Sequence, residues 1–285
     1  MAKILYKKQL SQNVFLMRLE APLIAEERKA GQFIILQTDE DLGERIPLTI
    51  ADADEKEGSI TIIFQVVGKS TTELSLFNIG DDIPTVVGPL GKPTHIDNFG
   101  TVVCVGGGIG VAPMHPIAQA LKQAGNKVII IMGARTKDLI ILEDEMRAIA
   151  DELIICTDDG SYGRKALVTE PLKDICEKDP KPNLAIAIGP PIMMKFCSLT
   201  TKPYDVHTLV SLNTIMVDGT GMCGGCRVNV GKEVKFVCVD GPEFDGHLVD
   251  FDNMMARLNS YKDMETEAAH NCNLDSEMKN RETKK

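Results

Sequence analysis

Tryptophan is absent from this 285-residue chain, and tyrosine occurs only 4 times. With aromatic residues at 5%, there is no platform on which nucleobases could stack in series. Excess positive charge is lacking as well. The formal net charge is -10, which argues against nucleic acid and against an anionic membrane surface as partners. No apolar run is long enough to span a bilayer. The first residues, Met1-Ala2-Lys3-Ile4-Leu5-Tyr6, enter a strand-like pattern without an apolar signal segment, so a cytoplasmic location is expected. A secreted disulfide framework is missing too, although there are 8 cysteines. Cys104, Cys156, Cys176 and Cys197 lie within or beside apolar patterns and are expected to be buried free thiols.

What is present is the hydrophobic content of a globular protein, 44%, and length for two or three small domains. Residues 1–98 read as short strands separated by turn signals, among them 14–19, 32–37 and 59–67, with one short helix over 71–77. Such spacing suggests a small antiparallel barrel. Residues 99–200 change character. Buried strand patterns at 101–105, 127–133, 153–157 and 184–189 alternate with helical ones, which predicts a parallel sheet with nucleotide-binding potential at its carboxyl ends. The pattern at 184–189 reads as the last strand of that sheet. Residues 201–250 form a glycine- and cysteine-containing module, and 251–285 read as a charged C-terminal tail.

That module holds Asp218-Gly-Thr-Gly-Met-Cys223-Gly-Gly-Cys226. A strand–Gly turn–strand pattern follows and would return Cys238 to the same loop. Asp218, Cys223, Cys226 and Cys238 carry the plant-type [2Fe–2S] spacing, with aspartate in the first cysteine's place. Glycines at 219, 221, 224 and 225 let the backbone wrap closely around a small core. Two other chemistries suit part of the set. Cys223 and Cys226 could form half of a zinc site completed by His207 or His247, or a redox dithiol. Asp218 could equally be a turn residue bonded to its own backbone.

Three further loops suggest phosphate contacts. Gly106-Gly107-Gly108-Ile109-Gly110 follows the first strand of the α/β half and opens a helix, an arrangement that favours a pyrophosphate. Val111 stands where a Rossmann fingerprint has its third glycine, and no acidic residue ends the second strand. In the barrel half, Arg45-Ile46-Pro47-Leu48-Thr49 joins a cation, a rigid turn and a hydroxyl. Gly68-Lys69-Ser70-Thr71 leads into a short helix.

The order of these loops, together with Gly189-Pro190-Pro191-Ile-Met193-Met194, resembles the ferredoxin–NADP reductase superfamily. The cysteine loop and Phe244-Asp-Gly-His-Leu-Val-Asp250 are similar to a narrower group that contains the electron-transfer subunit of dihydroorotate dehydrogenase B. The aspartate at 218 and the segment Glu44-Arg45-Ile-Pro-Leu-Thr49 resemble the small subunit of electron-bifurcating NADH-dependent ferredoxin:NADP oxidoreductases. Sulfide dehydrogenase small subunits share the architecture. The resemblance implies an antiparallel FAD-binding barrel, an NAD(H)-binding α/β domain and a [2Fe–2S] module. It places FAD against Arg45, Pro47, Leu48 and Thr49, although the family spacing would put the arginine at Ile46. Gly68, Lys69, Ser70 and Thr71 would hold its pyrophosphate. Gly107, Gly108, Ile109 and Gly110 would receive the nicotinamide nucleotide, in a crevice lined by Asp158, Asp159, Gly160, Gly189 and Pro190. Thr49 would stand at the reactive flavin edge. The choice of NADH rests on the resemblance, because Arg135 and Lys137 follow the second strand, where a 2′-phosphate would need cations. No cysteine set for a [4Fe–4S] cluster is present. A large flavin/[4Fe–4S] partner subunit is therefore implied, with ferredoxin and NADP(H) reached through it. A redox-sensing module is the non-enzyme alternative.

Overall fold

The computed structural model describes residues 1–41, 43–268 and 270–271. The first seven strands are β1 (Ala2–Ser11), β2 (Val14–Glu20), β3 (Phe33–Gln37), β4 (Ile46–Asp54), β5 (Ser59–Gln65), β6 (Asp82–Ile83) and β7 (Thr85–Leu90). They form one antiparallel sheet in the order β6-β1-β2-β5-β4-β3-β7. Its two edge strands are consecutive in the chain and separated only by Pro84, so the sheet curls into a nearly closed barrel. Alternate residues fill the interior: Met17 and Leu19, Ile34 and Leu36, Ile60 and Ile62. Helix α1 (Pro22–Glu27) and helix α2 (Lys69–Leu76) lie in the connections.

The second sheet uses β8 (Thr101–Gly107), β9 (Lys127–Ala134), β10 (Glu152–Thr157), β11 (Arg164–Lys165), β12 (Leu184–Ile188) and β13 (His207–Ser211). A hairpin of β14 (Arg227–Val230) and β15 (Glu233–Phe236) stands apart, and β16 (Glu243–Asp245) returns to the sheet. The sheet order is β11-β10-β9-β8-β12-β13-β16, with only β16 antiparallel to its neighbour. Val103, Val105, Ile129 and Ile131 face α5 (Thr169–Cys176) and α6 (Pro191–Thr201), while Val102, Cys104, Val128 and Ile130 face α3 (Val111–Gln123) and α4 (Glu143–Ile149). Strands buried on both faces read as continuous apolar runs, which is why these four elements stand out in the sequence.

Two sequence expectations need correction. Residues 184–189 are not the last strand, because β13 and β16 extend the sheet into the stretch after residue 200. The short, Thr- and His-containing β13 lacks the apolar run of a central strand. Nor does a free tail begin at 251. Helix α8 (Phe251–Leu258) is capped by Asp250, whose carboxylate accepts from Asn253 N at 3.0 Å, and its Phe251 and Met254 join the main core. Residues 262–268 continue as helix, and 272–285 lie outside the described residues.

Candidate redox site

The barrel carries an open seam. Strand β4 pairs with β3 from Ile46 to Thr49, with Phe33 opposite Thr49 and Ile35 opposite Pro47. Its pairing with β5 begins only at Ile50, opposite Ile62, and a bulge follows between Ile50 and Asp52. Among the described residues, 47–49 therefore have no strand partner on the β5 side. Proline 47 has no N–H to offer a ladder, and the bulge turns the strand away. The first turn of α2 comes to the same region, because Ser70 Oγ donates to Glu44 Oε2 at 2.8 Å. Thr71 Oγ1 accepts from Val67 N at 3.0 Å and Gly68 N at 3.1 Å, which fixes the turn. A Cβ built on Gly68 would meet nothing within 4 Å, so this backbone faces open space. Arg45 is exposed, and Pro47, Leu48 and Thr49 are half-buried.

In the second sheet, β8 is the strand where the order reverses, with β9 on one side and β12 on the other. Crevices at such a switch point receive ligands at the carboxyl ends of the strands. Gly107 and Gly189 meet there, and a Cβ on Gly189 would approach Gly107 O to 3.1 Å. Gly110 is packed harder still, since its Cβ would come 2.2 Å from Ile188 O. Gly108 differs: its φ is +55° and its Cβ would find nothing within 4 Å. Close packing thus explains Gly107, Gly110 and Gly189, while Gly108 presents bare backbone to the crevice. Ile109 lies between them in the turn before α3, and Pro190 caps α6. Asp158, Asp159 and Gly160 sit on the same carboxyl edge but two strands away, after β10. Ser161 N and Oγ both donate to Asp159 Oδ1, and these bonds hold its carboxyl below the usual range.

The cysteine loop lies against the barrel. A Cβ on Gly219 would come 2.8 Å from Leu90 Cδ1 and 2.9 Å from Ile35 Cγ1, and its φ is +76°. The loop therefore touches the strand that pairs with Pro47. Hairpin β14–β15 returns the chain as expected: Val237 N donates to Cys226 O at 3.1 Å, and Cys226 Sγ and Cys238 Sγ are 3.2 Å apart. Both are buried, while the half-buried Asp218 and the exposed Cys223 form a lip. Cys238 N points at Cys226 Sγ (3.5 Å) and Gly225 N at Cys223 Sγ (3.4 Å), donors of the kind that tune a cluster's potential. Burial, helped by Cys226, pushes the Cys238 thiol up to about 12, so a metal held there would have to displace a proton. The Asp218 carboxylate accepts from Thr220 N at 2.8 Å and Cys223 N at 2.7 Å, and the Thr220 bond leads in lowering its pKa.

Among the described residues, no three His, Cys, Asp or Glu converge tightly enough for a single metal ion. A buried cysteine pair facing an Asp/Cys lip fits a two-iron core, with two donors per iron, better than one zinc ion. The histidines that could have completed a zinc site stand elsewhere. His247 Nε2 lies 3.0 Å from Thr201 Oγ1, and His207 is exposed at the start of β13. Cys104, Cys156, Cys176 and Cys197 are buried and free.

Sequence reading missed two supports. Arg257 of α8 donates to Gly225 O at 3.2 Å, bracing the cysteine loop from a helix assigned to the tail. The Met193 side chain fills the space beside Gly107 and Gly189. Amphipathicity at 251–258 was the available signal for the first.

Residues 104–198 match the oxidoreductase NAD-binding domain family, and 213–250 match the iron-sulfur cluster binding domain of dihydroorotate dehydrogenase B. The dihydroorotate dehydrogenase B (NAD(+)) electron transfer subunit homolog of Thermotoga maritima is 49% identical over 92% of each chain. The corresponding electron transfer subunit of Streptococcus pneumoniae is 32% identical over 85% of this chain and 94% of its own. A chain of the NADH-dependent reduced ferredoxin-NADP oxidoreductase, solved to understand flavin-based electron bifurcation, superposes with TM-score 0.90. It is 46% identical, covering 95% of this chain and 97% of that one. The barrel and parallel sheet are thus a ferredoxin–NADP reductase-like fold, and its relatives are named as electron transfer subunits of larger enzymes. No helix among the described residues is long and apolar enough to cross a membrane. On this footing the chain belongs to the family of dihydroorotate dehydrogenase B electron transfer subunits and their homologues.

Proposed function

We propose that this chain is the NAD(H)-linked flavin and iron–sulfur subunit of a bifurcating NADH-dependent ferredoxin:NADP oxidoreductase, working in the cytoplasm. The observation that carries the reading is the position of Ile35. It pairs with Pro47 at the barrel seam on one side and touches Gly219 of the cysteine loop on the other. Seam and loop are therefore one strand apart, and the crevice strand β8 contributes Val105 to the same core that holds Phe33, Cys226 and Cys238.

In this reading Gly107, Gly108, Ile109 and Gly110 take the dinucleotide, with Asp158, Asp159, Gly160, Gly189 and Pro190 along the crevice. Arg45, Pro47, Leu48 and Thr49 hold FAD at the seam, and Gly68, Lys69, Ser70 and Thr71 hold its pyrophosphate. Thr49 offers its hydroxyl beside the reacting edge. Asp218, Cys223, Cys226 and Cys238 ligate the cluster. When bound, FAD and the cluster supply the change from two-electron to one-electron transfer. A large partner subunit with flavin and [4Fe–4S] clusters provides the bifurcating centre and the exchange with ferredoxin and NADP(H).

A second reading, electron transfer for dihydroorotate oxidation, is favoured by the name of the 49% identical Thermotoga relative. Purification under anaerobic conditions, alone and with its co-purifying large subunit, tests both. The expected result is flavin and two irons per chain, with a partner that links NADH, ferredoxin and NADP⁺. A partner that oxidises dihydroorotate selects the second reading, and a chain without flavin and iron contradicts both.

A further inference from the structure

The outer face of the barrel carries a row of polar side chains. Tyr6 of β1 stands opposite Arg18 of β2, Arg18 opposite Thr61 of β5, and Thr61 opposite Asp52 of β4. Their neighbours Met17, Leu19, Ile60 and Ile62 fill the interior, so this row points outward. Two residues along the strands, Leu16 stands opposite Ile63 and makes an apolar row beside it. Helices α3 and α4 lean over both rows and enclose a cleft of about 290 Å³. His115 of α3, Glu145 of α4 and Leu142, the N-cap of α4, form the opposite wall. The volume is at the low end for ligand sites and holds roughly ten non-hydrogen atoms. None of these side chains belongs to the residues proposed for flavin or dinucleotide. The cysteine module, which continues through α7 (Val237–Asp240) to β16, contributes none of the walls.

Two features single the cleft out. Arg18 uses only part of its fork. Nη1 donates to Glu57 Oε2 at 2.8 Å, and the guanidinium lies 5.7 Å from the Tyr6 ring centroid. Its Nε is buried without an acceptor, and among the described residues Nη2 has none either. A buried donor left unpaired costs free energy that an incoming acceptor recovers. The second feature is backbone strain. Leu142 has φ +57° and ψ +30°, left-handed values that a branched side chain adopts only at a cost. The residue held in this way is half-buried and lines the cleft. His115 ties wall to floor, since its Nδ1 donates to Ala51 O at 3.3 Å.

The charges choose the ligand. Asp52, at the end of the polar row, already accepts from Arg28 Nη2 and Ala53 N, and Glu145 is exposed. The unused, partly buried capacity is cationic, on Arg18, beside the hydroxyls of Tyr6 and Thr61. Leu16, Ile63 and Leu142 make the rest of the lining apolar. We propose that this cleft binds a small organic carboxylate, with the carboxylate on the free edge of Arg18 and an apolar body between Leu16, Ile63 and Leu142. The pair with Glu57 is half-exposed and weak, so the guanidinium can turn and offer Nε and Nη2 together. That two-pronged edge matches a carboxylate. The site needs neither flavin nor cluster.

Benzoate is the probe, titrated into the full-length chain and followed by ligand-observed NMR. Benzamide and inorganic phosphate serve as its neutral counterpart and its counterpart without an apolar body. Saturable benzoate binding is expected, with a Kd on the order of 1 mM. Benzamide and phosphate should bind about tenfold more weakly. Arg18→Gln should weaken benzoate about tenfold, because the charged donor is lost. Leu142→Gly relieves the left-handed backbone and removes the apolar roof. It should keep the melting temperature and also weaken benzoate about tenfold. Glu57→Gln frees Nη1 from a competing carboxylate and should tighten binding about threefold. Saturating NADH should leave the titration unchanged. The proposal is overturned by no saturable binding, by phosphate bound as tightly as benzoate, by displacement with NADH, or by full affinity in either Arg18→Gln or Leu142→Gly.

Discussion

Asp218 performs a visible structural task at the outset, holding Thr220 N and Cys223 N with its two carboxylate oxygens. That explains an aspartate in the loop without any metal, and ligation has to be demonstrated against it. Asp218→Cys should retain the cluster and change its EPR spectrum; an unchanged spectrum would reduce Asp218 to a turn residue. Spacing made the four ligand candidates legible, because a cluster loop is local in sequence. Nothing local marks the bond from Thr94 to Glu243, which ties the segment leaving the barrel to β16 across 149 residues. Arg257 was hidden in the same way, since its role depends on a loop that precedes it by a whole hairpin.

Among elements, the turn from β8 into α3 shows how one glycine motif divides its labour. Gly110→Ala would drive a Cβ to 2.2 Å from Ile188 O, and that backbone cannot give way. A loss of roughly 3 kcal/mol and a lower melting temperature are expected. Gly108→Ala meets open space and bears only the left-handed backbone penalty of about 1 kcal/mol. It should keep the fold while raising the KM for NADH about tenfold, because in the proposed reading the methyl would stand in the path of the dinucleotide. Equal effects of the two substitutions on stability would contradict this division. The sequence announces β8, β9, β10 and β12 through their doubly buried apolar runs. It hides β13 and β16, short strands whose place in the sheet is set by their neighbours rather than by their own composition.

Across the whole molecule, one hydrophobic cluster runs from Phe33 of the barrel through Val105 of the sheet to Cys226 and Cys238, and on to Phe251 and Met254. Its continuity makes α8 part of the electron-transfer body. Phe251→Ala should cost about 3 kcal/mol in urea unfolding and loosen the cysteine loop braced by Arg257. A change within about 0.5 kcal/mol, as for an exposed residue, would return this stretch to the status of a tail. The central claim is that crevice, seam and cysteine loop form one path. It is tested most directly by titrating the purified, loaded chain with NADH under anaerobic conditions and recording EPR. The account predicts that NADH alone produces the signal of a reduced [2Fe–2S] cluster. A cluster reduced by dithionite but silent to NADH would contradict it.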